Sequence, residues 1–195
     1  MYELGLLGRQ KWWWRLHRAL PRHFRGIKPY RLERTHPDRD SLAYGETPAV
    51  SIQRLLKVTG LQPGARFVDL GSGRGLAALS AASLGYPASG LEFFPEYVER
   101  ANALARELQL PATFIQGDLV TDPWPEGELF YLASTAFGRE TRQRLLERLP
   151  GLPAGALVAT LDWTLPLEGL YSFTLPVTWG LATCQVYRAQ ELTRL

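Results

Sequence analysis

Nine consecutive residues, Phe67-Val68-Asp69-Leu70-Gly71-Ser72-Gly73-Arg74-Gly75, leave few architectures open to this chain. The first four form an apolar run of strand length that carries one acid. The glycines recur at every second position, and Leu76 to Leu84 beyond them is Ala-rich and helical. A strand that turns through glycines straight into a helix opens a parallel α/β sheet, in which the loop backbone approaches a ligand closely.

The rest of the chain keeps that rhythm. A helix over 46–59, burying Val50, Leu55 and Val58, precedes the unit and is stopped by Gly60 and Pro63-Gly64. Strands are predicted at 88–92, 112–116, 128–134 and 156–160, with helices at 95–109 and 139–149. Tyr171 to Trp179 and Leu181 to Arg188 are both β-rich, and only a turn at Gly180 separates them. A connection that short excludes a parallel crossover, so the pair is an antiparallel hairpin on the sheet edge. The expected fold is α/β: a Rossmann-like seven-stranded mixed sheet with an antiparallel C-terminal hairpin and helices on both faces.

Asp69 bears on the ligand chemistry. In a dinucleotide site the helix N-terminus beyond the glycines faces a pyrophosphate, and an acid ahead of the first glycine opposes that anion. S-adenosylmethionine carries a sulfonium and an α-ammonium and no phosphate, so a loop of Asp69, Gly71, Ser72, Gly73 and Gly75 suits it, with S-adenosylhomocysteine as the product. Glu92, seventeen residues beyond Gly75 and followed by Phe93, closes the second strand where a carboxylate accepts from both ribose hydroxyls. Asp118 follows the third strand in Gln116-Gly117-Asp118-Leu119, placed to accept from the adenine amino group while Leu119 packs on the ring. The bland alternatives are a helix-capping role for Glu92 near Pro95 and an ordinary turn role for Asp118. Three acids at the carboxyl ends of successive strands nonetheless form one crevice.

Tyr44-Gly45-Glu46-Thr47, Phe67 to Gly75, Gln116 to Leu119, Ala136-Phe137-Gly138 and Trp179-Gly180 together resemble the disruptor-of-telomeric-silencing family of histone-lysine methyltransferases, in particular its prokaryotic relatives, over residues 40–188. The resemblance implies methyl transfer from S-adenosylmethionine to a protein lysine, with Tyr44, Glu46 and Thr47 folding over the methionine part of the cofactor. The family's asparagine beside the transferring methyl group is replaced here by Ala133, which is followed by Ser134 and Thr135. Ser134 is the candidate replacement acceptor. Phe137, with Trp163 and Trp179, is a candidate for the lining of an apolar channel. Such a channel matters because deprotonating an ordinary lysine at neutral pH costs about 4.6 kcal/mol, and an apolar surrounding lowers the amine pKa.

Charge is spread unevenly. Residues 9–39 hold ten Lys and Arg against Glu33 and Asp38, a balance of +8, and the remainder of the chain carries −5. A helix over 9–20 aligns Trp13, Leu16 and Leu20 on one side and Lys11, Arg15, Arg18, Arg22 and Arg25 on another. Pro21 ends or restarts it, and 26–45 reads as an extended linker. The chain therefore divides into a basic, Trp/Arg-rich arm over 1–39 and a methyltransferase domain over 40–195. Such an arm suits nucleic acid or anionic lipid, or the acidic surface of its own domain.

Two further functions follow from the arm. One is an RNA methyltransferase in which residues 9–39 grip phosphate and Trp12 to Trp14 stack bases. The other is a non-catalytic cofactor-binding protein whose Trp/Arg helix lies on a membrane surface. No apolar run approaches the roughly 18–20 residues of a membrane span, and no apolar block follows the N-terminal charges, so neither an integral membrane segment nor a signal peptide is expected and the expected location is cytoplasmic. Cys184 is the only cysteine, which excludes an internal disulfide and a multi-cysteine metal site, and no metal is expected. No sequence feature sets the oligomeric state.

Overall fold

The computed structural model describes residues 2–27 and 45–194; residues 28–39 of the basic arm, most of the expected linker and Tyr44 lie outside the described residues. Seven strands form one sheet: β1 (Phe67–Leu70), β2 (Ala88–Glu92), β3 (Ala112–Gln116), β4 (Leu129–Ala133), β5 (Leu157–Leu161), β6 (Tyr171–Val177) and β7 (Gly180–Arg188), in the order β3-β2-β1-β4-β5-β7-β6. The first five are parallel, β7 runs antiparallel to β5, and β6 pairs antiparallel with β7 from Tyr171↔Val186 to Val177↔Gly180. This is the Rossmann-like mixed sheet with a terminal hairpin that the pattern of elements predicts.

Helices α1 (Tyr2–Leu7), α2 (Lys11–His23), α3 (Ala49–Thr59), α4 (Leu76–Ser83), α5 (Pro95–Leu108) and α6 (Arg139–Arg148) complete the fold. Residues of β1 and β4 alternate between two cores. Phe67, Leu129 and Tyr131 face the core that contains α2 to α5, whereas Val68, Leu70, Phe130 and Leu132 face the core shared with α6. Both strands are therefore covered on each side, which is why their sequences read as continuous apolar runs rather than as an alternation. Against β1, β2 and β3 lies α4, whose residues Leu76 to Ala82 are all buried; its alanines leave little side-chain bulk between helix and sheet.

Helix boundaries differ from expectation where proline and the N-terminal arm are concerned. Pro48 caps α3 in an extended conformation (φ −58°, ψ 154°), so that helix begins at Ala49 rather than at 46. Pro21 does not interrupt α2, which runs on to His23. It lies in the last turns, and Leu20 and Phe24 on either side of it are buried in the main core. That anchoring overrides the absence of one backbone hydrogen bond at a helix end. Helix α2 packs on α4 and α5 and buries Trp13, Leu16, Ala19 and Leu20. It is thus part of the globular body, and among the described residues no helix is long and apolar enough to cross a membrane.

Candidate active site

Strand order reverses between β1 and β4, and in an open α/β sheet a ligand crevice forms at the carboxyl ends of the strands flanking that reversal. The chain leaves β1 through Gly71, Gly73 and Gly75, at φ values of 83°, 53° and 80°. All three lie in the left-handed region, which a side chain disfavours. The outer two glycines also make room for aromatic rings. A Cβ on Gly75 would run into Phe114 and approach the Ala101 Cβ to 3.3 Å, so this glycine lets α4 sit against β3 and α5. A Cβ on Gly71 would lie 3.1 Å from Phe137 Cζ, which places the Phe137 ring over the first turn of the loop. The Gly71 and Ser72 amides donate to the Leu91 carbonyl at 2.9 and 3.0 Å, fixing the loop to β2.

Two buried acids stand beneath this loop. Glu92 Oε2 accepts from the Gly73 amide at 2.7 Å and Oε1 accepts from the Phe94 amide at 3.0 Å. Burial still raises its pKa, against the lowering by those amides. Asp69 accepts from the Ala78 amide, one of the first-turn N–H groups of α4 that has no partner within the helix. Burial, with the nearby charge of Glu92 second, pushes its pKa up to about 7. Both causes penalise negative charge in an enclosed place, and a cationic ligand relieves both. Ser72 Oγ is buried in the loop with no hydrogen-bond partner among the described residues. Paired acids, open glycine backbone and an unsatisfied hydroxyl fit a ligand that brings ammonium and hydroxyl groups, as S-adenosylmethionine does.

Asp118 stands beyond β3, as its position in the sequence implies. Its Oδ1 accepts from the Val120 amide at 2.7 Å, and its own amide donates to Asp122 Oδ2 at 2.8 Å. It therefore builds the turn that carries Leu119, whose Cδ2 lies 3.9 Å from the Cβ position of Gly71. Phe93, at 45% exposure, stands open to solvent beside Glu92. The crevice thus brings together Asp69, Glu92, Leu119, the glycines and Phe137, with Asp118 at its rim.

The segment 45–47 reaches the same place from a distance. Glu46 pairs through its carboxylate with the Arg74 guanidinium inside the glycine loop, with Arg74 Nε donating to Oε1 at 2.8 Å. Its backbone pairs with Thr178, the Glu46 amide donating to Thr178 Oγ1 at 2.9 Å and the Thr178 amide to the Glu46 carbonyl at 3.1 Å. Thr47 Oγ1 lies 2.5 Å from the Tyr131 hydroxyl, and burial holds that phenol well above its ordinary pKa. The Trp179 ring covers Gly45, where any Cβ would overlap it. Reading the sequence alone does not find Arg74, Tyr131 or Thr178 as site residues. Only Tyr131 carries a signal, a polar tip in the otherwise apolar strand Leu129-Phe130-Tyr131-Leu132.

On the acceptor side, Ala133 is half-buried at the end of β4. Ser134 departs from its expected role. It is fully buried and its Oγ donates to the Leu161 carbonyl at 2.6 Å, so it ties the ends of β4 and β5 together instead of facing an acceptor. Trp163 is partly buried against the α6-side core with the Arg142 guanidinium 6.0 Å from its ring centre, whereas Trp179 is 39% exposed. Cys184 is fully buried and its thiol is pushed up to about 12, which leaves no thiolate for nucleophilic chemistry.

Helix α2 ends beside this crevice. Phe24 lies 5.8 Å below the Arg74 guanidinium and edge-on to Tyr97. The three tryptophans do not form a stacking platform. Trp13 is buried against Leu7, Ala49 and Val50, and Trp12 is partly buried; Trp14 is the exposed one, its indole N–H donating to the Gly8 carbonyl at 2.8 Å. Since the apolar face of α2 is used up inside the protein, it is not available to a lipid surface.

Comparison with known proteins agrees with this geometry. The model of the O-methyltransferase domain matches residues 22–177. The H3 lysine-79-specific histone-lysine N-methyltransferase of Eremothecium gossypii is 26% identical over 156 residues, covering 70% of this chain and 26% of that protein, so the chain spans about a quarter of that relative. An RNA methyltransferase from Salinibacter ruber, solved with S-adenosyl-L-homocysteine, superposes with a TM-score of 0.62 at 24% identity over 75% of this chain and 94% of its own. A TehB-like methyltransferase from Corynebacterium glutamicum gives 0.56 at 19% identity, over 71% and 86% of the two chains. The crevice of glycines and buried acids, on this sheet and with this family match, makes the chain a member of the O-methyltransferase domain family and an S-adenosylmethionine-dependent methyltransferase.

Proposed function

We propose that the methyl acceptor is carried on RNA and that the outer face of α2 holds the RNA backbone. One observation carries this: Lys11, Arg15, Arg18 and Arg22 are exposed along α2 and Arg25 just beyond its end, with no acid between Arg9 and Ile27, and the helix ends beside the glycine loop. Arg22 and His23 pair with Glu107 on α5, which fixes the inner edge of the stripe, while Arg18 lies over the exposed Trp14 ring. A row of cations leading to a reaction crevice attracts a polyanion and guides it along one path. The solved structure with a TM-score of 0.62 is itself described as an RNA methyltransferase, which agrees with this acceptor.

A protein lysine is the competing acceptor. The arrangement of Gly45, Glu46 and Thr47 against Arg74 and Tyr131, and the match to a histone-lysine methyltransferase, favour it. In both cases the cofactor supplies the electrophilic methyl group and its leaving group. The protein's share is alignment and exclusion of water. Asp69 would face the positive end and Glu92 the ribose hydroxyls, while Phe137 and Leu119 cover the loop and the Glu46–Arg74 pair fastens 45–47 beside it.

The deciding experiment incubates the protein with a cell extract and methyl-labelled cofactor, then digests with nuclease or with protease. Label released by nuclease is expected, and it should fall in Arg18→Glu/Arg25→Glu while affinity for S-adenosylhomocysteine stays unchanged. Label released by protease alone moves the acceptor to protein.

A further inference from the structure

Asp162 follows β5 at the carboxyl edge of the sheet and has φ +53°, one of two non-glycine residues with positive φ among the described residues. Glycine relieves such a conformation, and an aspartate persists in it only when its surroundings fix it. Three bonds do so. The Asp162 amide donates to the Thr183 carbonyl at 2.9 Å, Oδ1 accepts from the Thr183 amide at 3.0 Å, and Oδ2 accepts from Trp179 Nε1 at 3.3 Å. The carboxylate therefore grips β7 with one oxygen and, with the other, the indole in the turn between β6 and β7. A glycine satisfies the backbone and supplies neither oxygen.

The indole leads back to the cofactor crevice. Trp179 covers Gly45, the neighbouring Thr178 makes two backbone-centred bonds to Glu46, and Glu46 holds Arg74 between Gly73 and Gly75. We propose that Asp162 is a positioning residue for the cofactor site: by holding the Trp179 indole it sets the position of segment 45–47 and, through the Glu46–Arg74 pair, of the glycine loop. The inference rests on the S-adenosylmethionine-dependent activity and not on the choice of acceptor.

The test uses the full chain and S-adenosylhomocysteine, so failure of the RNA proposal leaves it untouched. Asp162→Gly relieves the positive φ and deletes both carboxylate bonds. Its thermal midpoint should hold or rise while its Kd, read by calorimetry, rises about tenfold. Trp179→Phe keeps a ring over Gly45 and removes the N–H, so combining it with Asp162→Gly should add little beyond the larger single effect. Binding by Asp162→Gly within about twofold of wild type overturns the proposal. So does a loss of affinity that tracks a lowered midpoint, which a merely structural role produces, or full additivity of the two substitutions.

Discussion

Asp69 shows how a single residue links the first strand and its helix to the crevice. It is 3% exposed, supports the first turn of α4 and sits near pKa 7 beside Glu92, against an ordinary value of 3.8. Because the folded pKa is raised, the cofactor-free protein binds a proton that the unfolded chain releases between about pH 4 and 7, so its stability falls over that window as pH rises. The α-ammonium that S-adenosylhomocysteine shares with S-adenosylmethionine favours the ionised form, so binding expels the proton. Affinity for S-adenosylhomocysteine should climb from about pH 5.5 to 7.5 and then level, and Asp69→Asn should flatten that climb. Calorimetry in two buffers of different ionisation heat reads the released proton directly. A pH-independent affinity in the wild type removes Asp69 from the cation's surroundings. The acids and glycines of this crevice are legible in the sequence because each lies within a few residues of a strand end, where chain direction alone aims the next residues at the same edge. The same logic misplaces the role of Ser134. Its neighbours in sequence put it at that edge, and the carbonyl that accepts a hydrogen bond from its hydroxyl belongs to Leu161 at the end of β5.

At the scale of elements, α2 is the decisive case. Its cationic stripe is visible in the sequence, but stripes of that kind belong equally to free arms and to packed helices. Leu16 is fully buried in the same core as Leu79, Leu104 and Ala105 of α4 and α5. Leu16→Ala should therefore lower unfolding free energy by about 2–5 kcal/mol, measured by denaturant titration. An arm detached from the body predicts no change. The strands and the terminal hairpin fall within a residue or two of their expected bounds, since parallel strands buried on both faces and a turn too short for a crossover leave strong local marks. Local rules make Pro21 a break because they weigh the missing hydrogen bond and know nothing of how Leu20 and Phe24 are buried.

For the whole molecule, the basic outer face of α2 opposes an otherwise acidic chain, and its interaction with a polyanion should be screened accordingly. RNA affinity is expected to fall linearly in log–log with salt. Arg18→Glu/Arg25→Glu should shallow the slope by about 1.4, at about 0.7 for each single-stranded phosphate no longer neutralised. Equal slopes for variant and wild type place the RNA elsewhere. The charge of this surface follows from its side chains, whereas the crevice follows from the sheet. The amino-acid order alone carries the alternation of strands and helices, the left-handed glycine turn and the three strand-end acids, because these follow from bond geometry and residues close along the chain. Folding in three dimensions brings Glu46 to Thr178 and Arg74, Trp179 to Asp162, and α2 to α5. Those pairs lie far apart along the chain, so their meeting is set by how packed surfaces fit, which no local pattern encodes.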